Sequence, residues 1–244
     1  FVDGDFLYFI DSTYALYEYD LNNHKAYFIA DMEAEILRRG EVSSIIKQKT
    51  DYFIGFKSSG LIQLKYMPDS KVKYSLQSIN VQSGIFCLMK DRFQDIIWVG
   101  ADGQGLYMYF TDEFSIDNIM LDVPEYRVDN PVRALYQDQD QTLWIGTKGG
   151  GILKMFDFHP DMETLPRAER ILASNSPLMD NSVYSFAPSR RKFLWIGTES
   201  GLNYYSYSQK RIQEFPVMAD GKMVKYVHSV RETNDSTLWV VSAG

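Results

Sequence analysis

One short aromatic strand returns six times along the 244 residues, and that recurrence predicts an all-β chain of four-stranded antiparallel blades, a β-propeller with a repeat of about 45 residues. The six versions are LYFI around Tyr8, YFIG around Phe53, IWVG around Trp98, LWIG around Trp144, LWIG around Trp195 and LWVV around Trp239, at intervals of 45, 45, 46, 51 and 44 residues. A second observation is that the flanks repeat as well, with an apolar run upstream and a Gly-Leu or Gly-Ile pair downstream. The third is a composition of 45% hydrophobic residues that includes 17 Tyr and 15 Phe, as in sheet-rich folded chains.

Each repeat resolves into four strands. The first is VSSII from Val42, IFCLM from Ile85, VRALY from Val132, VYSFA from Val183 and VHSV from Val227. The second carries the aromatic residue and is apolar at consecutive positions, which suits a strand covered on both faces by neighbouring sheets. The glycines that follow the aromatic, Gly55, Gly100, Gly146 and Gly197, sit inside that strand, where a missing side chain lets the next blade approach closely. The third strand opens at Gly60-Leu61, Gly105-Leu106, Gly151-Ile152 and Gly201-Leu202, and a weaker outer fourth strand follows. The 51-residue interval places extra residues between Phe156 and Asn181, a stretch with Pro160, Pro166 and Pro177, and predicts an enlarged loop there. The first repeat lacks most of its first strand and the last stops at SAG. Residues 1–244 therefore read as about five and a half blades of a longer array, truncated at both ends.

A formal net charge of −7 argues against a chain that wraps nucleic acid or lies on anionic lipid. The single cysteine, Cys87, rules out an internal disulfide and, with only His24, His159 and His228, a Cys/His metal site. Lying in IFCLM, it reads as a buried structural thiol. No run of 18 apolar residues is present, so no membrane contact by this stretch is expected. GxSxG, HExxH and GxxxxGK[ST] are all absent, and no cofactor or catalytic residue is expected. The glycines at 103, 105 and 149–151 join strands, with no helix N-terminus to hold phosphate. Asp138 and Asp140 precede an aromatic strand, where Asp side chains ordinarily brace a turn.

DQDQTLWIGTKGGGILKM (138–155), FLWIGTESGLNYYS (193–206) and SNSPLMDNSVYSF (174–186) resemble the two-component regulator propeller repeat. The resemblance covers nearly the whole chain, with degenerate copies around Tyr8 and Phe53. It implies the periplasmic sensor region of a hybrid two-component system from Bacteroidetes, non-catalytic in itself. It further implies an oligosaccharide ligand, a histidine kinase elsewhere in the parent chain and a seven-bladed closed propeller. A second propeller and a β-sandwich domain would complete the receptor, which would be a homodimer.

The turn between second and third strands and the lead-in to the first strand fall at the same end of a blade. A ligand face there would draw on Asp102, Gln104, Lys148 and Glu199 from the turns and on Asn130, Arg133, Asn181 and Tyr184 from the lead-in side. Planar polar groups with an aromatic face are what a sugar needs. Asn130 and Asn181 each follow an Asp and can equally shape a turn.

Two alternatives remain. One is a protein-interaction scaffold, although the Gly-His and Trp-Asp pairs of WD-repeat blades are missing. The other is a propeller glycoside hydrolase, suggested by the DxDxxxW pattern. That reading needs a set of arginines gripping a carboxylate and a Tyr nucleophile with an acidic partner, and with Arg127, Arg133, Arg190, Arg191 and Arg231 at unrelated repeat positions no such set can be assembled from the sequence.

Overall fold

A computed structural model describes residues 1–118, 127–160, 162, 166–233 and 237–243. They form five four-stranded antiparallel sheets, a two-stranded sheet and a small hairpin, so the fold class is all-β and of propeller type. The first sheet is β1 (Val2–Asp3), β2 (Phe6–Ile10), β3 (Ala15–Asp20) and β4 (Lys25–Asp31). A helix, α1 (Glu33–Arg39), precedes the second sheet, β5 (Val42–Gln48), β6 (Asp51–Phe56), β7 (Leu61–Tyr66) and β8 (Tyr74–Ile79). The third comprises β9 (Ile85–Lys90), β10 (Ile96–Ala101), β11 (Leu106–Phe110) and β12 (Ser115–Asn118). The fourth is β13 (Val132–Gln137), β14 (Leu143–Thr147), β15 (Ile152–Met155) and β16 (Ala168–Ile171). The fifth is β17 (Val183–Pro188), β18 (Phe193–Thr198), β19 (Leu202–Ser206) and β20 (Arg211–Phe215). The hairpin β21 (Met218–Ala219) and β22 (Lys222–Met223) leads to the last pair, β23 (Val227–Glu232) and β24 (Leu238–Ser242).

Strand order follows chain order in every sheet, because each strand turns back on its predecessor through a short loop. Four of the six aromatic strands are buried almost end to end: β6, β10, β14 and β18. Outer strands such as β8 and β20 are largely exposed. Trp98 and Trp144 are at most 1% exposed, whereas Trp239, on the two-stranded last sheet, is 64% exposed. The aromatic repeat thus marks a strand position, and burial of the ring depends on a facing sheet. Cys87 is half-buried rather than buried, since it alternates away from the covered face of β9.

The chain divides into two compact units, residues 1–90, 95–102 and 108–117 in the first and 91–94, 103–107 and 118–244 in the second. Within the first, Tyr8, Leu16, Ile29, Ile45, Tyr52 and Ile54 form one core between the first two sheets. Tyr8 meets Tyr52 edge-on at 5.8 Å. Buried Glu18 accepts a hydrogen bond from Tyr52 at 2.7 Å and an ion pair from Lys47 at 2.8 Å. Within the second, Trp144, Ile152, Val183, Leu194, Ile196 and Tyr205 join the fourth and fifth sheets. One contact recurs in both units: the second-strand aromatic of a sheet packs on the third-strand tyrosine of the next. Phe53 lies 5.2 Å from Tyr109, and Trp144 lies 4.8 Å from Tyr205. Each such ring contributes about 2–3 kcal/mol through burial and about 1 kcal/mol more through edge contact.

The mid-strand glycines behave as their position requires. A Cβ on Gly55 would stand 2.7 Å from Ile85 Cγ2, and one on Gly146 would stand 2.8 Å from Val183 Cγ1, in each case a residue of the following sheet. Asp138 accepts the backbone N–H groups of Asp140 and Thr142 at 3.0 and 2.9 Å and the Trp144 indole N–H at 3.0 Å. It braces the β13–β14 turn and holds the first core ring of its blade.

Two connections differ from the rest, and only the first was not expected from the sequence. Helix α1 occupies the β4–β5 connection, with Glu33 and Glu35 in its first turn and Arg38 and Arg39 in its last, matching the helix dipole. Gly40 ends it with φ at 85° and donates its N–H to the Ile36 carbonyl. The β15–β16 connection, 156–167, is much longer than the four-residue connections in the first, third and fifth sheets. It holds part of the expected enlargement; residues 161 and 163–165 of that stretch lie outside the described residues.

Candidate functional site

At one end of the second to fifth blades the turn after the second strand is tied to the lead-in of a first strand by backbone hydrogen bonds. In the first unit, Lys57 N–H donates to Glu41 O, Gly60 N–H to Ser83 O and Asp102 N–H to Gly84 O. In the second, Lys148 N–H donates to Pro131 O, Gly149 and Gly151 N–H to Asn181 O, and Glu199 N–H to Ser182 O. Tyr226 N–H closes the series on Glu199 O. These bonds satisfy loop backbone by other backbone groups.

The first strands begin with a further recurring device. Val42 pairs with Phe56 and Ser44 with Gly55, so Ser43 is the extra residue of a β-bulge. The same shift places Phe86 between Ile85 and Cys87, Arg133 between Val132 and Ala134, Tyr184 between Val183 and Ser185, and His228 between Val227 and Ser229. A bulge re-aims one side chain without ending the strand. Three of these residues, Arg133, Tyr184 and His228, belong to the second unit, where β13 runs beside β17 and β17 beside β23.

Those three are electrostatically and sterically linked. The Tyr184 ring lies 4.8 Å from the His228 imidazole, and its hydroxyl donates to Glu199 Oε2 at 2.9 Å. Burial, then the Glu199 hydrogen bond, push the Tyr184 hydroxyl up to about 12; the Arg133 charge acts in the opposite direction. Tyr184 is therefore a neutral donor at any physiological pH. His228 is exposed beside it, and Tyr226, 42% exposed, stands next to Glu199 through the backbone bond.

Of the sequence-predicted residues, the second unit brings Asn130, Arg133, Lys148, Asn181, Tyr184 and Glu199 to one end of its blades. Asn181 has a structural task, its Oδ1 accepting Ala173 N–H at 2.8 Å while its carbonyl holds the glycine turn. Asn130 lies against the same turn, its Nδ2 3.4 Å from where a Gly149 Cβ would be. Lys148 is exposed. Asp102 belongs to the first unit, and Gln104 is engaged with Tyr107 OH at 2.9 Å and with Asn118 Nδ2 through its carbonyl. His228 and Tyr226 were not anticipated. The signal for His228 was present, since VHSV aligns with VYSF and VRAL at the residue after the valine.

The glycosidase signature resolves into structure. Asp138 is buried and committed to two turn amides and an indole, as a brace and not as an acid. Asp91 plays the same part in the third blade, accepting Phe93 and Gln94 N–H at 2.9 Å each. Among the described residues no cluster of three His, Cys, Asp or Glu side chains could hold a metal, and no helix is long and apolar enough to cross a membrane.

Residues 127–149 and 177–200 match the family model described as "Two component regulator propeller". A curated relative, Histidine kinase P4 of Formosa agariphila, is 28% identical over 171 residues, 68% of this chain and 12% of the relative. A solved extracellular domain from B. thetaiotaomicron, described as that of a hybrid two component system, superposes with a TM-score of 0.67 at 19% identity, over 97% of this chain and 31% of that one. The β-propeller domain of Cps50 (Swd1) from Myceliophteria thermophila superposes at 0.59 with 9% identity, over 91% of this chain and 72% of that one. The superpositions show the propeller fold. This chain spans an eighth of the curated relative's length and under a third of the extracellular domain's.

Proposed function

We propose, for a chain that carries two-component regulator propeller repeats, that it is a non-catalytic ligand-sensing propeller of a receptor whose signal reaches a histidine kinase. The ligand we assign is an oligosaccharide, met on the periplasmic side of the membrane. The observation that carries this reading is the bulged position of the first strands, which presents Arg133, Tyr184 and His228 side by side at the end of the blades where the loops are tied down. Arg133 offers a planar fork of donors, Tyr184 and His228 offer ring faces, and Glu199 offers an acceptor already aligned by Tyr184. Such a set holds a sugar by hydrogen bonds to hydroxyls and by packing on its ring.

Signalling in this reading is a shift of population. A ligand that contacts one arrangement of the whole receptor better than another moves the equilibrium by that difference in affinity. Further blades, a second propeller, a β-sandwich domain and a second receptor copy are the partners through which the difference would reach the kinase.

The test is a thermal-shift and calorimetric screen of the complete receptor ectodomain against plant and host oligosaccharides, with Arg133→Ala alongside. A saturable rise in melting temperature with one glycan class, weakened at least tenfold by Arg133→Ala and leaving the glycan intact, is expected. Glycan cleavage, or affinity indifferent to Arg133→Ala, would overturn it.

A further inference from the structure

The residue immediately before a first strand is tied down in the same way in five blades. Its carbonyl accepts the N–H that follows the second strand: Lys57 on Glu41, Asp102 on Gly84, Lys148 on Pro131, Glu199 on Ser182 and Ala243 on Tyr226, at 2.9 to 3.3 Å. Of these five lead-in residues only Tyr226 has a positive φ, 51°. The other non-glycine residues of positive φ among the described ones all sit in connections between paired, consecutive strands of one sheet, where the chain reverses. Tyr226 lies between sheets, after β22 and before β23, and no such reversal accounts for it.

The joint to the preceding blade shows what the conformation does. At two earlier joints a glycine of the preceding turn donates its N–H to a lead-in carbonyl, Gly60 to Ser83 and Gly151 to Asn181, each at 2.8 Å. At the last joint the polarity is reversed, and Tyr226 N–H donates to Glu199 O of the preceding turn at 2.7 Å. The change of φ re-aims the side chain relative to its four counterparts. Glycine would take up this backbone without strain, whereas a bulky aromatic there is an outlier held by its surroundings.

The ring is not retained for the core. Tyr226 is 42% exposed, and among the described residues its ring meets no other aromatic ring or cation and its hydroxyl no hydrogen-bond partner. Its neighbours are those of the Arg133–Tyr184–His228 face. Glu199, whose carbonyl holds Tyr226, accepts the Tyr184 hydroxyl on its carboxylate at 2.9 Å. His228, two residues on, lies 4.8 Å from the Tyr184 ring, and Val227 between them is fully buried and fixes both. One side of the Tyr184 ring is therefore taken by His228 and its hydroxyl by Glu199, while the Tyr226 ring and hydroxyl are both uncommitted.

We propose that Tyr226 is the fourth side chain of that face, an aromatic binding residue on which one sugar ring of the ligand packs, kept on a strained backbone for this contact. The inference rests on the sensing role proposed above and adds to it the free aromatic surface that recognition of a sugar ring requires. Its hydroxyl, able to donate and accept, stands ready for a sugar hydroxyl as well.

The first measurement uses no ligand and compares the melting temperatures of the native chain and Tyr226→Gly. A ring kept for binding predicts that Tyr226→Gly melts at or above the native temperature, because glycine relieves the strain. A lower melting temperature would give the ring a structural task and contradict the proposal. The second is calorimetry on the complete receptor ectodomain with cellotriose, xylotriose, mannotriose and chitotriose. At least one is expected to bind, roughly tenfold more weakly to Tyr226→Gly, the size of one ring contact, and within about twofold of native to Tyr226→Phe. Equal loss in both variants would rule out packing on the ring. Binding weakened by Arg133→Ala but unchanged in Tyr226→Gly would refute this inference alone and leave the sensing face standing. Binding of none of the four to the native ectodomain would refute it together with the sensing reading.

Discussion

Asp138 shows how much one carboxylate can hold. Its two oxygens order the β13–β14 turn and orient the largest ring in the blade, and neither can be replaced by water, because Asp138, Thr142 and Trp144 are all buried. Asp138→Ala leaves a turn amide and an indole N–H without acceptors, and is expected to lower stability by about 3 kcal/mol, read from the urea denaturation midpoint. Glu232 has a different expected effect. Hydrogen bonds from Ser189 and then the Trp195 indole hold its carboxyl below the usual 4.5. A depressed carboxylate stabilises the fold above its unfolded value and ceases to do so as pH falls through the folded one. The melting temperature of the native chain should therefore exceed that of Glu232→Gln at pH 7, with the gap closing below pH 4.5; a constant gap down to pH 3 would contradict the assignment. At this scale the sequence was partly legible. The aspartate before the aromatic strand declared itself as a brace, but Glu232 as an acceptor for Trp195 did not, because that bond joins residues 37 positions apart on different blades.

Among elements, the aromatic second strands were the most readable, since their consecutive apolar run returns with its aromatic residue at a near-constant spacing. The mid-strand glycines give this a quantitative test. A methyl group on Gly146 meets Val183 Cγ1 and the Phe186 ring, side chains that can yield, and Gly146→Ala should cost about 1–3 kcal/mol. On Gly197 it meets the Val227 backbone carbonyl, which cannot yield, so Gly197→Ala should be the more damaging of the two by thermal denaturation. Equal effects would mean that blade spacing relaxes around either site. Helix α1 escaped because its seven residues lie in a connection and bury no side chain of their own, so they leave no apolar period to detect. The bulges escaped for another reason: the residue a bulge inserts is visible only once the pairing on both sides is known.

For the whole molecule, burial is graded within the second to fifth blades, from the enclosed second strand to the more exposed fourth. Hydrogen exchange should follow that gradient, with amides of β10, β14 and β18 exchanging roughly a hundredfold more slowly than those of β8 and β20. Uniform exchange across a blade would show that its strands open together. The candidate face was legible as a location, because loops at one end of a blade are fixed by strand direction. Its chemistry was not, since Arg133, Tyr184 and His228 become neighbours through pairing between blades and not through spacing in the chain.

Ser, Phe, Arg, Tyr and His occupy the same bulged position in five successive blades, and the pairing on either side is the same in each. A hydroxyl, two kinds of aromatic ring, a guanidinium and an imidazole are thus all acceptable to the scaffold at one address. In the sensing role proposed above, a single codon change at that address would alter the groups offered to a ligand while the strand pairing on either side stays the same.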